Sequence, residues 1–158
     1  MDKAAVYRRL QRQILSLHGE ADDPISVMAN TAAALHEALP YSSWTGFYRV
    51  VAPDLLRVGP FQGPVACVEI PFGRGVCGAA AETLRTQVVP DVHTFEGHIA
   101  CDARARSEIV LPVLDAHGRL VAVLDIDSHQ PASFDEADRA GLEAIVATLA
   151  GPLTSPPV

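Results

Sequence analysis

Apolar residues recur with two different periods along the 158-residue chain, and each change of period marks a change of secondary structure. Helical spacing predicts an amphipathic helix over residues 2–18 and a second helix over residues 24–39, which Asp23 caps and Pro24 opens. The pattern then becomes strand-like, with Val, Phe, Trp and Tyr between turn residues. Three strands are predicted there, in the segments 43–51, 55–59 and 65–72.

The second half of the chain predicts a short helix, a loop, a hairpin and a closing helix. Glycines followed by an alanine-rich run predict a helix over residues 72–84, and an irregular segment follows from 89 to 106. Two apolar runs about a turn at 116–118 predict a hairpin in the middle of the sheet. Ser133 and Glu136 form an S-x-x-E capping box that is expected to open the last helix.

This order of elements predicts an α+β fold with helices packed mainly on one face of an antiparallel sheet. A chain of this length with 49% hydrophobic residues can build one core, so a single domain is expected. The predicted boundaries are an N-terminal amphipathic helix at 1–20, the domain at 21–151 and a frayed tail at 152–158.

Charge and hydropathy narrow the possible partners. Twelve Lys and Arg against 19 Asp and Glu give a net charge of −7, which repels phosphate backbones and anionic lipids. We therefore expect neither nucleic acid nor a membrane as a partner. The N-terminus lacks the apolar run of a signal peptide and no segment reaches transmembrane length, which predicts a cytoplasmic protein.

Three cysteines are the first candidates for chemistry. Cys67 lies in a predicted strand, where a lone cysteine is by default a buried apolar residue. Cys77 lies in the first turn of a predicted helix, where the macrodipole can lower a thiol pKa, although an inert core thiol is about equally compatible. Cys101 lies in a polar loop close to Arg104 and Arg106, which favours a reactive thiolate.

Carboxylates near strand ends are the second candidates. Asp125 and Asp127 share one face of a strand, and Glu108 begins a neighbouring strand. Such a group can bind an amino group, and mutual repulsion would keep a proton available for donation. Solvated strand ends or turn caps are the commoner alternative.

Two other kinds of site are less favoured. A structural zinc site would combine the three cysteines with His93 or His98, but the spacings C-x9-C and C-x23-C differ from the close pairs of zinc sites. Glycines 73, 75 and 78 resemble a phosphate cradle, but the lysine of a P-loop is absent.

Six segments together resemble the GAF-domain free methionine-(R)-sulfoxide reductases over about residues 24–150. Three cysteines in the same order within matching local contexts make this signal far more specific than any single motif. GAF domains more generally bind small molecules, so a ligand-binding sensor with affinity but no turnover is the alternative. The segments are WTGFY (44–48), VGPFQG (58–63), ACVEIPFGRGVCG (66–78), GHIACD (97–102), SEIVLPV (107–113) and LDIDS (124–128).

The resemblance implies six antiparallel strands, the sixth being the short segment TQVVP near residue 88, and a small pocket closed by the loop that carries Cys101. It implies that Cys101 attacks the sulfoxide sulfur and becomes a sulfenic acid. Cys67 or Cys77 then closes a disulfide with Cys101, which thioredoxin reduces. Cys67 is favoured as the resolving cysteine, with Cys77 as relay or alternate.

The resemblance also assigns the substrate contacts. Glu108, Asp125 and Asp127 match the carboxylates of the family, of which one binds the ammonium and another donates a proton. The substrate carboxylate is expected at backbone amides of the 97–106 loop, including Ile99 and Ala100.

No metal or cofactor is expected, and the amphipathic first helix could serve as the interface of a homodimer. Three aromatic residues are expected to form the apolar wall that contacts the methyl group of the substrate: Trp44, Tyr48 and Phe61.

Overall fold

The computed structural model describes residues 1–18 and 23–154, and its main feature is a six-stranded sheet. The helices are α1 (Lys3–His18), α2 (Pro24–Ala38), α3 (Gly75–Thr83), α4 (Glu136–Thr148) and α5 (Ala150–Leu153). The strands are β1 (Trp44–Ala52), β2 (Leu55–Gln62), β3 (Glu69–Pro71), β4 (Gln87–Val89), β5 (Ser107–Leu114) and β6 (Leu120–Ser128).

The strand order is β3-β2-β1-β6-β5-β4, and every neighbouring pair is antiparallel. The α+β class and the short sixth strand near residue 88 are confirmed. The predicted hairpin of β5 and β6 is also confirmed, with Gly118 in the left-handed conformation and the Asp115 carboxylate accepting from the His117 and Arg119 amides. Strand β6 lies in the middle of the sheet beside β1, whereas β5 lies one position from the edge.

One face of the sheet is covered by helices and is apolar. Helix α1 packs on α4 and α2, while α2 and α4 pack on the sheet. The buried side chains from the strands include Phe47, Ile109, Leu111, Leu124 and Ile126, each fully buried. None of the helices within 1–18 and 23–154 is both long and apolar enough to cross a membrane.

The opposite face is covered by α3, which packs against β5 and β6. Because side chains alternate along a strand, the neighbours of the core residues point to this face. Trp44, Tyr48, Val110 and Val123 form a second, smaller cluster with α3 residues that include Cys77.

The third predicted strand is shorter than expected, and Cys67 lies outside it. Strand β3 contains only Glu69–Pro71, and the chain before it is irregular, with Val65 and Val68 mostly exposed. The physical reason lies at the start of the segment, where Gly63 has a φ of +126° and Pro64 has no amide hydrogen to donate to a ladder. The Cys67 side chain is therefore half-buried rather than part of the core.

The last helix begins two residues later than the capping box at Ser133 predicted. The Asp135 carboxylate accepts from the amides of Ala137 and Asp138, and the Asp138 carboxylate accepts from the Asp135 amide. Asp135 therefore caps α4, while the Ser133 hydroxyl contacts the Ser128 hydroxyl at 2.7 Å. A carboxylate next to the first turn is the stronger cap because it also interacts with the helix dipole.

Both ends of the chain differ in part from expectation. The tail was expected to be frayed from residue 152, but Pro152 and Leu153 lie in α5 and are buried, and residues 155–158 lie outside the described residues. In α1, Leu15 and Leu17 are about half exposed. Its buried positions are Tyr7, Leu10, Ile14 and His18.

Candidate active site

The three predicted carboxylates come together on the α3 face of the sheet. Strand register pairs Glu108 of β5 with Asp127 of β6, and Asp127 in turn with Trp44 of β1. Directly paired residues of antiparallel strands project to the same face, so this row of three shares one side. Asp125 lies in the next row, opposite Gly46.

A small cavity lies above these rows, with a volume of about 40 Å³. Strands β1, β5 and β6 supply one wall, α3 a second, and the 98–105 segment a third. The lining residues predicted from the sequence are Trp44, Tyr48, Cys77, Ile99, Cys101, Glu108, Asp125 and Asp127.

Two predicted substrate-contacting residues lie elsewhere. Phe61 does not line the cavity; its ring stacks on that of Trp44, with ring centroids 5.1 Å apart. Ala100 is exposed and also does not line the cavity. Both neighbours of Ala100, Ile99 and Cys101, do line it, because the chain turns at this point and the Cys101 amide donates to the Ile99 carbonyl.

Trp44 is held in place by its neighbours. Its ring stacks on Tyr48 at 5.7 Å and its indole N–H donates to the Pro64 carbonyl at 3.1 Å. Gly46 makes room for this arrangement, since a Cβ there would lie 2.3 Å from the Phe61 Cβ and 2.7 Å from the Trp44 ring. The aromatic surface of the cavity is thus fixed by backbone as well as by packing.

Burial and crowding perturb the carboxyl groups. Desolvation, followed by the charges of Asp125 and Asp127, raises the pKa of Glu108 well above its usual range. Desolvation also raises the pKa of Asp127, and it raises the pKa of Asp125 to about 6. Three acids that cannot all ionise together hold at least one proton near neutral pH.

Cys67 and Cys101 form a disulfide, with their Cα atoms 5.5 Å apart. The cysteines are 34 residues apart in sequence, and this bond ties the 98–105 segment to the chain before β3. While this disulfide is present, Cys67 and Cys101 cannot act as thiolate ligands of the zinc site considered from the sequence.

Cys77 remains a thiol and is almost fully buried, at 4% exposure. It does lie in the first turn of α3, as predicted, but burial and the charges of Asp125 and Glu108 raise its pKa well above the usual value. Of the two interpretations of Cys77 that the sequence left open, the structure favours the inert core thiol, because desolvation and the acids outweigh the helix dipole. Its sulfur and one oxygen each of Glu108 and Asp125 lie within 4.8 Å of one another, close enough to contact a cation.

Two basic residues and one acidic residue that line the cavity were not predicted from the sequence to belong to this site. His98, considered from the sequence as a zinc ligand, has its Nε2 3.9 Å from a Glu108 oxygen, and burial lowers its pKa. Arg74 precedes α3, and Asp102 binds the Arg104 side chain and His129. The signal for Arg74 was its position in the segment ACVEIPFGRGVCG, and the signal for Asp102 was its position at the end of the segment GHIACD.

Comparison with known proteins agrees with the fold. The sequence pattern of the GAF domain family matches residues 21–151. The free methionine-R-sulfoxide reductase of Escherichia coli is 45% identical over 149 residues, which cover 94% of this chain and 89% of that protein. The enzyme of the same name from Saccharomyces cerevisiae is 41% identical, covering 86% of this chain and 81% of that protein.

A solved structure gives the same result. The structure of free methionine-R-sulfoxide reductase from Neisseria meningitidis in complex with its substrate has a TM-score of 0.89 and 48% identity, covering 95% of this chain and 89% of that one. The matched domain and the fold together define a GAF domain. Within that class, the chain belongs to the free methionine-R-sulfoxide reductase family, whose members are oxidoreductases.

Proposed function

We propose that this protein reduces free L-methionine (R)-S-oxide to L-methionine and is recycled by thioredoxin. The observation that carries the proposal is that Cys101, bonded to Cys67, lines the same cavity as three buried carboxyl groups with raised pKa values. A sulfoxide reduction needs both parts, a sulfur nucleophile and a source of protons for the departing oxygen.

The first step is carried out by Cys101 in the reduced protein. Its sulfur attacks the sulfoxide sulfur, the S–O bond of the substrate breaks, and the oxygen passes to Cys101 as a sulfenic acid. Methionine is released, and Cys101 has been oxidised by two electrons. The Cys67 thiol then attacks the sulfenic sulfur, releasing water and forming the Cys67–Cys101 disulfide.

Cys67 fits the resolving role better than Cys77 does. A resolving thiol must reach Cys101 and must lose its proton during attack. The Cys67 side chain is half-buried and already bonded to Cys101, whereas the thiol of Cys77 is buried beside two acids that oppose its ionisation. Thioredoxin then reduces the disulfide by exchange, which the exposure of Cys101 permits.

The carboxyl groups divide into proton donors and an ammonium site. Glu108 and Asp127 are paired across β5 and β6, and their raised pKa values keep a proton available for the sulfoxide oxygen. Asp125, whose pKa of about 6 lies below neutral pH, supplies the negative charge that attracts the substrate ammonium. Trp44, backed by Phe61, and Tyr48 provide the apolar wall for the S-methyl group.

The test is thioredoxin-coupled NADPH consumption with free L-methionine (R)-S-oxide, compared with the S epimer and an N-acetyl derivative. Turnover confined to the free R epimer supports the proposal and its dependence on the amino group. Binding without turnover of any of the three substrates would replace it with the sensor function. The Cys101→Ser variant is the control, since background reduction by the coupling system persists in it.

A further inference from the structure

Exposed apolar side chains are concentrated around the disulfide. Val65, two residues before Cys67, is 88% exposed, and Val68, directly after Cys67, is 62% exposed. Ile99, two residues before Cys101, is a third exposed apolar side chain. Single exposed apolar residues are common on protein surfaces, but several at one place indicate a binding surface. These three residues and the disulfide are called the disulfide patch below.

Covalent connections keep the members of the disulfide patch close together. The Cα atoms of Cys67 and Cys101 are 5.5 Å apart. Because consecutive Cα atoms are about 3.8 Å apart, no apolar member of the patch lies more than about 8 Å from the cysteine of its own segment, measured between Cα atoms. A protein that reaches the disulfide therefore also comes within reach of the exposed apolar side chains.

The segment that carries Val65 and Val68 is fixed at both ends. The Pro64 carbonyl accepts from the indole N–H of Trp44 at 3.1 Å. The Val68 carbonyl accepts from the Val58 amide at 2.9 Å. Both acceptors are backbone atoms, so these bonds do not depend on the exposed side chains of the segment. A surface that is already ordered loses less conformational entropy when a partner binds it.

The two acidic side chains next in sequence to the disulfide patch are paired within the chain. Glu69 on one side forms an ion pair with Arg57. Asp102 on the other side forms an ion pair with Arg104. Because these charges already have partners, the patch fits an uncharged, apolar surface on a partner better than a charged one.

The disulfide determines which kind of partner the patch must meet. The protein cannot begin another cycle while Cys67 and Cys101 are bonded, so each cycle needs a dithiol as reductant. A thiolate of the reductant attacks the sulfur of Cys101, which is the more exposed of the two, and Cys67 leaves as a thiolate. The second thiol of the reductant then displaces Cys101. The reductant departs as a disulfide, having given two electrons and two protons to the two cysteines.

We infer that the disulfide patch is the surface on which thioredoxin docks. This inference rests on the proposed function and adds to it the surface that recognises the reductant. Val68 is the informative residue, because it is exposed, lies next to Cys67 and does not line the cavity, whereas Val65 and Ile99 do. A small dithiol such as dithiothreitol needs no such surface, since exchange requires only access to the sulfur.

The test is the turnover of Val68→Ser at increasing concentrations of thioredoxin, with dithiothreitol as a second reductant. We expect kcat/KM for thioredoxin to fall about five- to twentyfold, as for the loss of one buried apolar side chain from an interface. The rate with dithiothreitol and the KM for methionine sulfoxide should not change. Val68→Ile keeps the apolar surface and should keep kcat/KM for thioredoxin near that of the parent protein.

Ile25→Ser is the matched control. Ile25 is also 62% exposed, but it lies at the start of α2, which packs on the opposite face of the sheet. This variant should leave the rates with both reductants unchanged. An unchanged kcat/KM for thioredoxin in Val68→Ser, or an equal fall in Ile25→Ser, would overturn the inference. An equal fall with dithiothreitol would also overturn it, because that result indicates a damaged disulfide site rather than lost docking.

A second copy of this chain is the alternative occupant of the patch. If sedimentation showed a smaller assembly in Val68→Ser while thioredoxin kinetics stayed unchanged, the patch would be an interface between copies and the inference would be overturned. Turnover of the parent protein with dithiothreitol alone would exclude thioredoxin as the partner and overturn it as well. Absence of turnover with both reductants would instead refute the proposed reduction of the sulfoxide, so the two failures are distinguishable.

Discussion

The two faces of the sheet are built from the same strands, but one buries apolar side chains and the other buries carboxyl groups. In β6, Leu124 and Ile126 point into the helix-covered core, while Asp125 and Asp127 point toward the cavity. The core face excludes polar atoms and gains stability from burial. The cavity face buries carboxyl groups at a cost, and their raised pKa values record that cost. The cavity face is therefore maintained by the stability of the other face.

Replacing Cys101 by serine should cause the largest functional loss and almost no structural loss. Serine is a far poorer nucleophile toward sulfur, so we expect turnover to fall by a factor of at least about 1000. Cys101 is exposed, so the fold should persist once the disulfide is absent. Thioredoxin-coupled kinetics and the thermal midpoint, each compared with the reduced parent protein, measure the two effects. Retained turnover would remove Cys101 from the mechanism.

Leu124→Ala addresses the opposite face of the same strand. Leu124 is fully buried among helix-facing residues, so truncation should lower the free energy of unfolding by about 2–5 kcal/mol. Below the melting range, the cavity face should keep its chemistry, because Leu124 contributes no atom to it. Urea unfolding and kcat at low temperature measure the two effects. Loss of kcat without loss of stability would contradict the separation of the two faces.

The pattern of the sequence predicted the face of each strand better than the edges of each segment. Alternation in β6 was enough to place Asp125 and Asp127 together, because the period of a strand is fixed by the backbone. The exit of Cys67 from its strand depends on Gly63 and Pro64, and the start of α4 depends on Asp135 competing with Ser133. Such choices between neighbouring candidates are decided by three-dimensional contacts.

The content of the cavity was predicted only in part for a similar reason. Cys101, Glu108, Asp125 and Asp127 carried recognisable chemistry in their segments. Arg74 lies in one of the segments that resemble the family, but only packing of α3 onto β5 and β6 brings it to the cavity wall. Periodicity contains no information on which helix end faces which strand row.

Asp125→Asn tests the desolvation of the cavity face through the pH dependence of the free energy of unfolding. The folded-state pKa of about 6 lies above the ordinary value of 3.8, so the folded protein holds a proton that the unfolded chain releases between these values. The free energy of unfolding therefore falls as pH rises from about 4 to 6. In the variant, the free energy of unfolding should fall less steeply with pH. At pH 8 it should exceed that of the parent protein by on the order of 1–3 kcal/mol. Denaturant titrations of both proteins at pH 4, 6 and 8 measure this difference in the free energy of unfolding.

An unchanged slope in Asp125→Asn would mean that the carboxyl group is not desolvated as the structure indicates. Asp115→Asn is the contrasting variant, because the pKa of Asp115 is lowered by amide hydrogen bonds from Arg119 and His117. Its stabilising contribution is present above the ordinary pKa and is lost on acidification, so this variant should be less stable at neutral pH. The two substitutions should thus change stability in opposite directions.

Cys77→Ser should have the smallest effect and separates a buried thiol from a resolving one. Cys77 is almost fully buried and faces Asp125 and Glu108, so a hydroxyl can occupy its place and still hydrogen-bond the acid. We expect disulfide formation after one turnover to be unchanged, with kcat altered by no more than about threefold.

Cys67→Ser, in contrast, should leave Cys101 as a sulfenic acid that a dimedone probe traps. Mass spectrometry of the two variants after a single turnover distinguishes them. Sulfenic acid accumulating in Cys77→Ser rather than in Cys67→Ser would exchange the roles of the two cysteines.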